Sequence, residues 1–171
     1  MNSSPDTTRI LGIDPGFGRV GFAVIEDIGN EWKTLSYGCI ETAKNTRFVD
    51  RLDKLNKSLT KIIDKYNPNL AAVEDLFFYK NVKTAIKVGQ ARGVILLTLR
   101  QAKIEIDEFT PLQIKQAVTG YGHAKKKQIQ YMVAIQLGLK TVPKQDDAAD
   151  ALAVALTCAH SMKLKKIMNI Q

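Results

Sequence analysis

The sequence predicts an α/β domain with a mixed five-stranded sheet, three antiparallel strands followed by parallel ones, flanked by helices on both faces. Two observations carry this prediction. Three apolar runs of strand length open the chain with short connections, and helical and strand patterns alternate after them. No repeat, linker or low-complexity tract divides the 171 residues, so we predict one domain over 1–171, with flexible tails at 1–8 and 163–171.

The first three strands are predicted from the apolar runs themselves. RILGIDPG ends in an Asp-Pro-Gly turn, and VGFAVIED is apolar at odd and even positions, as a strand buried on both faces should be. KTLSYGCIE supplies the third strand. The short connections favour an antiparallel meander, because parallel neighbours need a long crossover.

Helices and two further strands follow. Apolar residues at steps of three and four predict an amphipathic helix that stops before Pro68. They are Phe48, Leu52, Leu55, Leu59, Ile62, Ile63 and Tyr66. Next come a strand over LAAVED, a helix from roughly Val82 to Ala102 and a strand over IEIDEF. We then predict a short helix after Pro111, a loop over TGYGHAKKK, a helix ending near Gly138 and an alanine-rich helix that opens with aspartates.

The charge distribution indicates a polyanionic partner. The net charge is +8, the pI is about 9.5, and the stretch from Phe109 to Gln145 contains no acid. Its lysines include Lys115, Lys125, Lys126, Lys127, Lys140 and Lys144. A solvated lysine face normally carries interspersed glutamates, which weakens that alternative without removing it.

Composition argues against a membrane protein, a disulfide-stabilised protein and a histidine-based zinc site. No segment has the length of an apolar membrane span, and MNSSPDTTR lacks the apolar core of a signal peptide. Cys39 and Cys158 lie in apolar surroundings, which suits small buried thiols in a reducing compartment. His123 and His160 are the only histidines, too few for such a zinc site. We therefore expect a cytoplasmic protein without a membrane partner.

Four acids stand where an apolar element needs none. Asp14 and Glu74 end apolar strands, and Asp147 and Asp150 stand at the start of the last helix. If the first and fourth strands are parallel neighbours, Asp14 and Glu74 meet at the edge of the sheet where ligands bind. Residues i and i+3 share a helix face, so both aspartates can turn toward that edge.

These four carboxylates predict a metal site. Four converging carboxylates would repel one another and take up protons, and divalent cations resolve that conflict. Ligands that are all oxygen favour Mg²⁺ or Mn²⁺ over zinc. Two such ions about 3.5–4 Å apart form the kind of site that catalyses in-line phosphodiester hydrolysis.

Each acid also has a purely structural interpretation. Aspartate before Pro-Gly is commonly a turn residue, and Glu74 alone would be a surface acid at a strand end. Asp146 and Asp147 can cap a helix and complement its dipole. Asp150 shares a face with Asp147 and with Asp146, so spacing alone does not choose between them. A helix that begins at Asp146 would use that residue as its cap.

Four stretches together resemble one protein family. They are ILGIDPGFGRVGFAVIE, VEDLFFYKNVKTAIKVGQARGVIL, EFTPLQIKQAVTGYGHAKKKQIQ and DDAADALAVALTCAH, in family order from about Arg9 to His160. The pattern is similar to that of the RuvC Holliday-junction resolvases of bacteria, members of the RNase H-like superfamily. The GQARG and TPLQIKQAVTGYG segments are the most specific parts of the match.

The resemblance implies an RNase H-like fold and a homodimeric, Mg²⁺-dependent endodeoxyribonuclease with two ions per active site, for which Mn²⁺ can substitute. Such an enzyme nicks two opposed strands of a four-way junction symmetrically, in recombination and repair, and leaves 5′-phosphate and 3′-hydroxyl ends. The implied partner is a RuvA–RuvB branch-migration complex. In the family the helix over GQARG forms the dimer interface, where Gly89 and Gly93 permit close approach of helices.

The resemblance also assigns site residues. The catalytic and metal-binding acids fall on Asp14, Glu74, Asp147 and Asp150, although relatives can carry histidine at position 147. Lys115 and Lys126 match family lysines near the DNA and the active site. Lys125 and Lys127 adjoin Lys126 as further DNA contacts, and relatives often place an acid first in AKKKQ. Phe77 matches an aromatic that stacks on bases of the opened junction, while the adjacent Phe78 would point into the core.

Three other functions agree less well with the sequence. An RNase H-like nuclease that acts on hybrids or transposon ends would not be expected to carry GQARG. A sugar kinase or actin-like ATPase shares the early Asp-x-Gly turn but needs a second phosphate loop and a much longer chain. A junction-binding protein without catalysis would not need all four acids.

Overall fold

The computed structural model describes residues 7–29, 31–75 and 82–168, and within them five strands form one mixed sheet. The strands are β1 (Arg9–Asp14), β2 (Arg19–Ile28), β3 (Glu31–Glu41), β4 (Leu70–Glu74) and β5 (Glu105–Phe109). They lie in the order β3-β2-β1-β4-β5. β2 is antiparallel to both β1 and β3, whereas β1, β4 and β5 are parallel. The predicted sheet is confirmed in strand number and direction.

Five helices connect and cover the strands in the described residues. They are α1 (Phe48–Tyr66), α2 (Val82–Gln101), α3 (Pro111–Thr119), α4 (Lys126–Gln136) and α5 (Asp146–Ile167). The predicted loop over TGYGHAKKK was too long, because Lys126 and Lys127 are helical. The side chain of Gln128 accepts the backbone N–H of Lys125 at 2.8 Å, which starts the helix there. At the other end, α5 continues to Ile167, into the segment predicted as a tail.

The sheet buries a layer of side chains on each face, as the alternation of side chains along a strand requires. Ile10 of β1 packs with residues of α3, α4 and α5. Leu11 and Ile13 point to the opposite face from Ile10 and pack with residues of α1 and α2. All three are fully buried. Helices therefore cover both faces, as predicted.

The alanine-rich helix α5 lies directly on the backbone of β1 and β2. A Cβ atom at Gly12 would overlap the carbonyl oxygen of Ala151 and would lie 2.7 Å from the Cβ of Ala155. A Cβ atom at Gly21 would overlap the carbonyl oxygen of Asp147. Because neither glycine has a side chain, the helix backbone approaches the sheet closely, and its first turns are fixed at one edge of the sheet.

The two cysteines form no disulfide, and only one of them is buried. Cys39 and Cys158 are both free. Cys158 is buried as predicted, whereas Cys39 is only half-buried on β3. In the described part of the chain, no helix combines the length and apolar character needed to cross a membrane.

Candidate active site

Asp14 and Glu74 lie side by side at the carboxyl ends of two parallel strands. The register pairs Ile13 of β1 with Val73 of β4, so the next residue of each strand is one of these acids. Their side chains form a hydrogen bond, which requires a proton on one of them. Burial, together with the neighbouring carboxylates, raises the pKa of Asp14 to about 8.

Glu74 shares this environment. Burial and then the charge of Asp150 raise the pKa of Glu74. The hydrogen bond from Asp14 and the charges of Lys126 and Lys115 act in the opposite direction. Burial and neighbouring carboxylates thus disfavour the ionised forms of Asp14 and Glu74, and the charges of Lys126 and Lys115 offset this effect on Glu74 only in part.

Helix α5 brings the other two acids to the same edge. The contact of its first turn with Gly21 places Asp147, and Asp150 follows one turn later on the same face. Burial raises the pKa of Asp150, and Lys126 opposes the rise. The charges of both aspartates also raise the pKa of Asp14, so the four predicted acids share one electrostatic environment.

Each acid of α5 has a cationic partner. Lys126 Nζ donates to Asp150 Oδ2 at 2.9 Å. Burial lowers the pKa of Lys126, but its contacts with Asp150 and Asp146 outweigh that effect and leave the pKa above its usual value. Arg19 Nε lies 2.9 Å from Asp147 Oδ2. The sequence did not predict Arg19 as a site residue, because nothing in the local pattern connects the start of β2 with the start of α5.

Asp146 does not cap α5, contrary to the sequence prediction. Gln145 provides the carbonyl that accepts the first helical N–H, from Ala149 at 3.1 Å, so the helix begins one residue earlier than a cap at Asp146 requires. The Asp146 carboxylate instead accepts from Gln130 Nε2 at 2.9 Å and lies 3.4 Å from Lys126 Nζ. The bond from Gln130, followed by the charge of Lys126, lowers the pKa of Asp146.

A cleft of about 260 Å³ adjoins the acids. It is lined by Glu74, Pro111, Ile114, Lys115, Ala124, Lys126, Ile129, Asp150 and Ala153. Two of the predicted DNA-binding lysines, Lys115 and Lys126, therefore face the carboxylates. Lys125 and Lys127 are exposed at the start of α4. The predicted stacking residue Phe77 lies outside the described residues.

The turn that follows Asp14 is held by a buried cation. Arg51 of α1 donates from Nη2 to the carbonyl of Phe17 at 2.8 Å and from Nε to Thr42 Oγ1 at 2.9 Å. Its guanidinium also lies 5.0 Å from the centre of the Phe17 ring. These contacts fix the Pro-Gly turn and, with it, the end of β1 that carries Asp14.

The donor set of this edge fits a hard divalent cation. All four acids offer only oxygen, and Asp147 Oδ2 is buried without a hydrogen-bond donor among the described residues, since Arg19 is close but not aligned to donate. The side chains do not yet converge on one point. Among the described residues, no three His, Cys, Asp or Glu side chains are grouped closely enough to hold an ion as they stand. Asp147 and Asp150 are instead paired with Arg19 and Lys126.

Comparison with known proteins tests the resemblance. The family model of crossover junction endodeoxyribonuclease RuvC matches residues 10–158. The chain belongs to the RuvC family. Family membership confirms the prediction made from the four sequence stretches, and the matched residues include all four acids of the site.

Individual RuvC proteins match nearly the whole chain. Crossover junction endodeoxyribonuclease RuvC of Halothermothrix orenii is 54% identical over 157 residues, which are 92% of this chain and 95% of that protein. RuvC of Thermosipho melanesiensis is 50% identical over 147 residues, which are 86% of this chain and 94% of that protein.

Solved structures agree with the fold. A Thermus thermophilus RuvC structure has a TM-score of 0.85 at 32% identity, covering 92% of this chain and 96% of that one. T. thermophilus RuvC in complex with Holliday junction substrate has a TM-score of 0.87 at the same identity and coverage. A yeast mitochondrial Holliday junction resolvase, 13% identical, shares the fold with a TM-score of 0.71 over 95% of this chain and 82% of that one. The predicted fold class is confirmed.

Proposed function

We propose that this chain is a structure-selective endodeoxyribonuclease that resolves four-way DNA junctions by symmetric nicks in two opposed strands, in recombination and repair. The observation that carries the proposal is the meeting of Asp14, Glu74, Asp147 and Asp150 in one electrostatic environment, in a chain of the RuvC family. A structure of T. thermophilus RuvC with Holliday junction substrate supports the same substrate class here.

We propose Mg²⁺ as the cofactor, with two ions per active site held by the four carboxylates and with Mn²⁺ as a substitute. When bound, the ions would supply Lewis-acid chemistry for in-line phosphodiester hydrolysis, at the attacking water and at the leaving 3′ oxygen. The contribution of the chain is to gather the ligand oxygens at a fixed edge. Ligation requires ionised carboxylates, so the proton shared by Asp14 and Glu74 must leave.

The proposed DNA contacts lie on the α3 and α4 side of the acids. Lys115 and Lys126 line the cleft beside Glu74 and Asp150, where they can bind phosphates next to the scissile bond. Lys125 and Lys127 stand exposed on the same side, and we propose that they contact the backbone farther along the strand. For Phe77, stacking on bases of the opened junction is proposed from the family resemblance.

We propose a two-fold dimer formed through α2. Val82, Ile86 and Leu97 are exposed on this helix, by 75%, 58% and 58%. Gly89 and Gly93 lie between them at helical spacing, and a Cβ atom at either would have no heavy atom of the described chain within 4 Å. An apolar stripe with glycines at its centre suits close packing of an identical helix. A dimer would present two equivalent active sites to the two scissile strands.

Two further proposals rest on the family and the substrate rather than on a contact in this structure. We propose a RuvA–RuvB branch-migration complex as a partner. Because the proposed substrate is DNA and the RuvC proteins named above come from bacteria, we propose the cytoplasm as the compartment of action.

A synthetic four-way junction labelled on each strand in turn tests this function. With Mg²⁺, we expect paired nicks at symmetric positions on opposed strands, with ends that a ligase can seal. A linear duplex of the same sequence should remain intact, and chelation should abolish cutting while junction binding persists. Cutting by the chelated protein, or equal cutting of the linear duplex, would contradict the proposal.

A further inference from the structure

The ion pair between Arg19 and Asp147 has no part in the chemistry proposed above, yet it occupies one of the proposed metal ligands. Arg19 Nε lies 2.9 Å from Asp147 Oδ2. We propose that Arg19 is a displaceable counter-ion: it neutralises Asp147 until a divalent cation binds there, and it then binds a phosphate of the junction. This inference rests on the proposed function of Asp147 as a metal ligand.

The backbone of Arg19 is held by the sheet, while more than half of its side chain is open to solvent. Arg19 opens β2, and two residues later Gly21 packs against the carbonyl of Asp147, so the distance between the two backbones is set by the fold. The Arg19 side chain is 58% exposed, whereas that of Asp147 is 26% exposed. A long side chain anchored next to its partner and open to solvent can turn away without any change in the fold.

The contact leaves Asp147 incompletely satisfied. Asp147 Oδ2 is buried and accepts no hydrogen bond from the described residues, although Arg19 is close. A buried carboxylate oxygen without a donor carries a desolvation cost that an unaligned ion pair repays only in part. A divalent cation bound to this oxygen would repay it better, so exchange of Arg19 for the cation is favourable.

The surroundings of Arg19 direct it toward DNA once it is displaced. Arg19 lies at the start of β2, beside the first turn of α5 that carries Asp147. Lys126 occupies the α4 side and pairs with Asp150 and Asp146. A strand that reaches the acids between these two sides would meet a guanidinium on one and ammonium groups on the other. The planar fork of arginine matches a phosphate.

Displacement couples the binding of metal and DNA. If the cation frees Arg19 for a phosphate, a phosphate that holds Arg19 must equally free Asp147 for the cation. An exposed ion pair contributes about 0.2–1 kcal/mol. Breaking such a pair to bind the cation would therefore lower the metal affinity by a factor of roughly 1.4 to 5. The coupling should therefore be modest, and it should depend on the charge at position 19.

Calorimetric titration with Ca²⁺, with and without a four-way junction whose integrity is checked on a denaturing gel, measures this coupling. Without DNA, Arg19→Gln should bind Ca²⁺ about 1.4- to 5-fold more tightly than the wild type. The junction should then raise the Ca²⁺ affinity of this variant by a smaller factor than in the wild type. Arg19→Lys should restore most of the wild-type coupling. Arg47→Gln, which removes an exposed pair with Asp50 at 2.8 Å on α1, is the matched control and should behave as the wild type.

The salt dependence of junction binding supplies a second readout. In Ca²⁺, Arg19→Gln should reduce the slope of log affinity against log salt by about 0.9, the value for one lost phosphate contact. In chelator, where Arg19 stays on Asp147, the slope should match that of the wild type. A residue with a merely structural role would not change the slope in one condition alone.

Asp147→Asn distinguishes the counter-ion role of Arg19 from the metal-ligand role of Asp147. If it weakens Ca²⁺ binding while Arg19→Gln has wild-type Ca²⁺ affinity and salt slopes, the counter-ion role is wrong and the metal-ligand role stands. If Asp147→Asn binds Ca²⁺ as the wild type does, the proposed ligand set itself is wrong. Thermal unfolding of each variant at one pH confirms that all are folded.

Discussion

Two pairs of glycines in this molecule have opposite surroundings. Gly12 and Gly21 lie under α5, so close to its backbone that a Cβ atom at either would overlap it. Gly89 and Gly93 lie four residues apart on α2, and a Cβ atom at either would have no heavy atom of the described chain within 4 Å. Glycine thus permits close packing of α5 on one face of the sheet, whereas on the other face it leaves an open surface on α2.

The difference separates what positions the active site from what is available to a second molecule. The sheet glycines let α5 settle on the strands, which carries Asp147 and Asp150 to the ends of β1 and β4. The glycines of α2 cost about 1 kcal/mol each relative to alanine, although a Cβ atom at either would meet no heavy atom of the described chain within 4 Å. A partner that packs against α2 would account for them.

The largest effect is expected where the backbones touch. Gly21→Ala should lower the free energy of unfolding by about 1–3 kcal/mol and abolish cutting, because the first turn of α5 must shift and take Asp147 with it. Gly89→Ala, where the space within the chain is open, should instead raise the free energy of unfolding of the monomeric chain by about 0.4–1 kcal/mol. Denaturant unfolding and the junction assay measure both. If both variants have the same sign, the contrast between the two pairs is wrong.

The next effect concerns assembly rather than folding. Gly93→Glu should fold as the wild type does but sediment as a monomer, because a carboxylate at the centre of the α2 stripe cannot be buried against its own copy. On a plasmid with an extruded cruciform, the wild type should linearise the circle by paired cuts, and the variant should only nick it. A dimer formed by Gly93→Glu would place the interface elsewhere.

The sequence predicted the meeting of Asp14 and Glu74 on the assumption that the strands they end are parallel neighbours, and the register confirms that they are. Helical spacing predicted Asp150 together with either Asp147 or Asp146, and the family resemblance selected Asp147. These predictions depend on strand ends and helix periodicity, which are local patterns joined by a single assumption about strand order.

Sequence patterns did not predict Arg19, the helical state of Lys126, or the role of Asp146. The approach of Arg19 to Asp147 depends on how closely α5 packs on β2, a property of the assembled layers. Lys126 was predicted in a loop because it belongs to a run of three lysines that follows two glycines. Whether a helix begins there depends on the hydrogen bond between the Gln128 side chain and the backbone N–H of Lys125. Asp146 lies one residue inside the helix, so its carboxylate turns to Gln130 instead of capping.

A smaller effect should appear in the pH dependence of the metal-free protein. The pKa of Asp14 is about 8 in the folded chain against 3.8 as its ordinary value, so between these values the folded state holds a proton that the unfolded state has lost. Stability should therefore fall as the pH rises from about 4 to about 8. Asp14→Asn should reduce this slope and melt higher than the wild type near pH 8. Asp53→Asn, an exposed acid of α1 paired with Lys57, is the control and should keep the wild-type slope. Equal slopes for Asp14→Asn and the wild type, measured by thermal unfolding without divalent cations, would mean that burial does not strain this acid.

The smallest effect is expected for removal of Asp146, which precedes the proposed metal ligand Asp147 and is more exposed than it. Asp146 is exposed and bonds only to Gln130 and Lys126 among the described residues, and Lys126 keeps its bond to Asp150 when Asp146 is removed. Asp146→Ala should change the free energy of unfolding by less than about 0.5 kcal/mol, because it removes no cap. It should still cut junctions.

Asp147→Asn should fold and fail to cut, because it removes a proposed metal ligand that the contact with Gly21 holds in place. Unfolding curves and junction cleavage for the two variants, compared side by side, test the register of α5. An inactive Asp146→Ala beside an active Asp147→Asn would move the metal site by one residue and would show that the surface of α5 facing the sheet edge has been assigned wrongly.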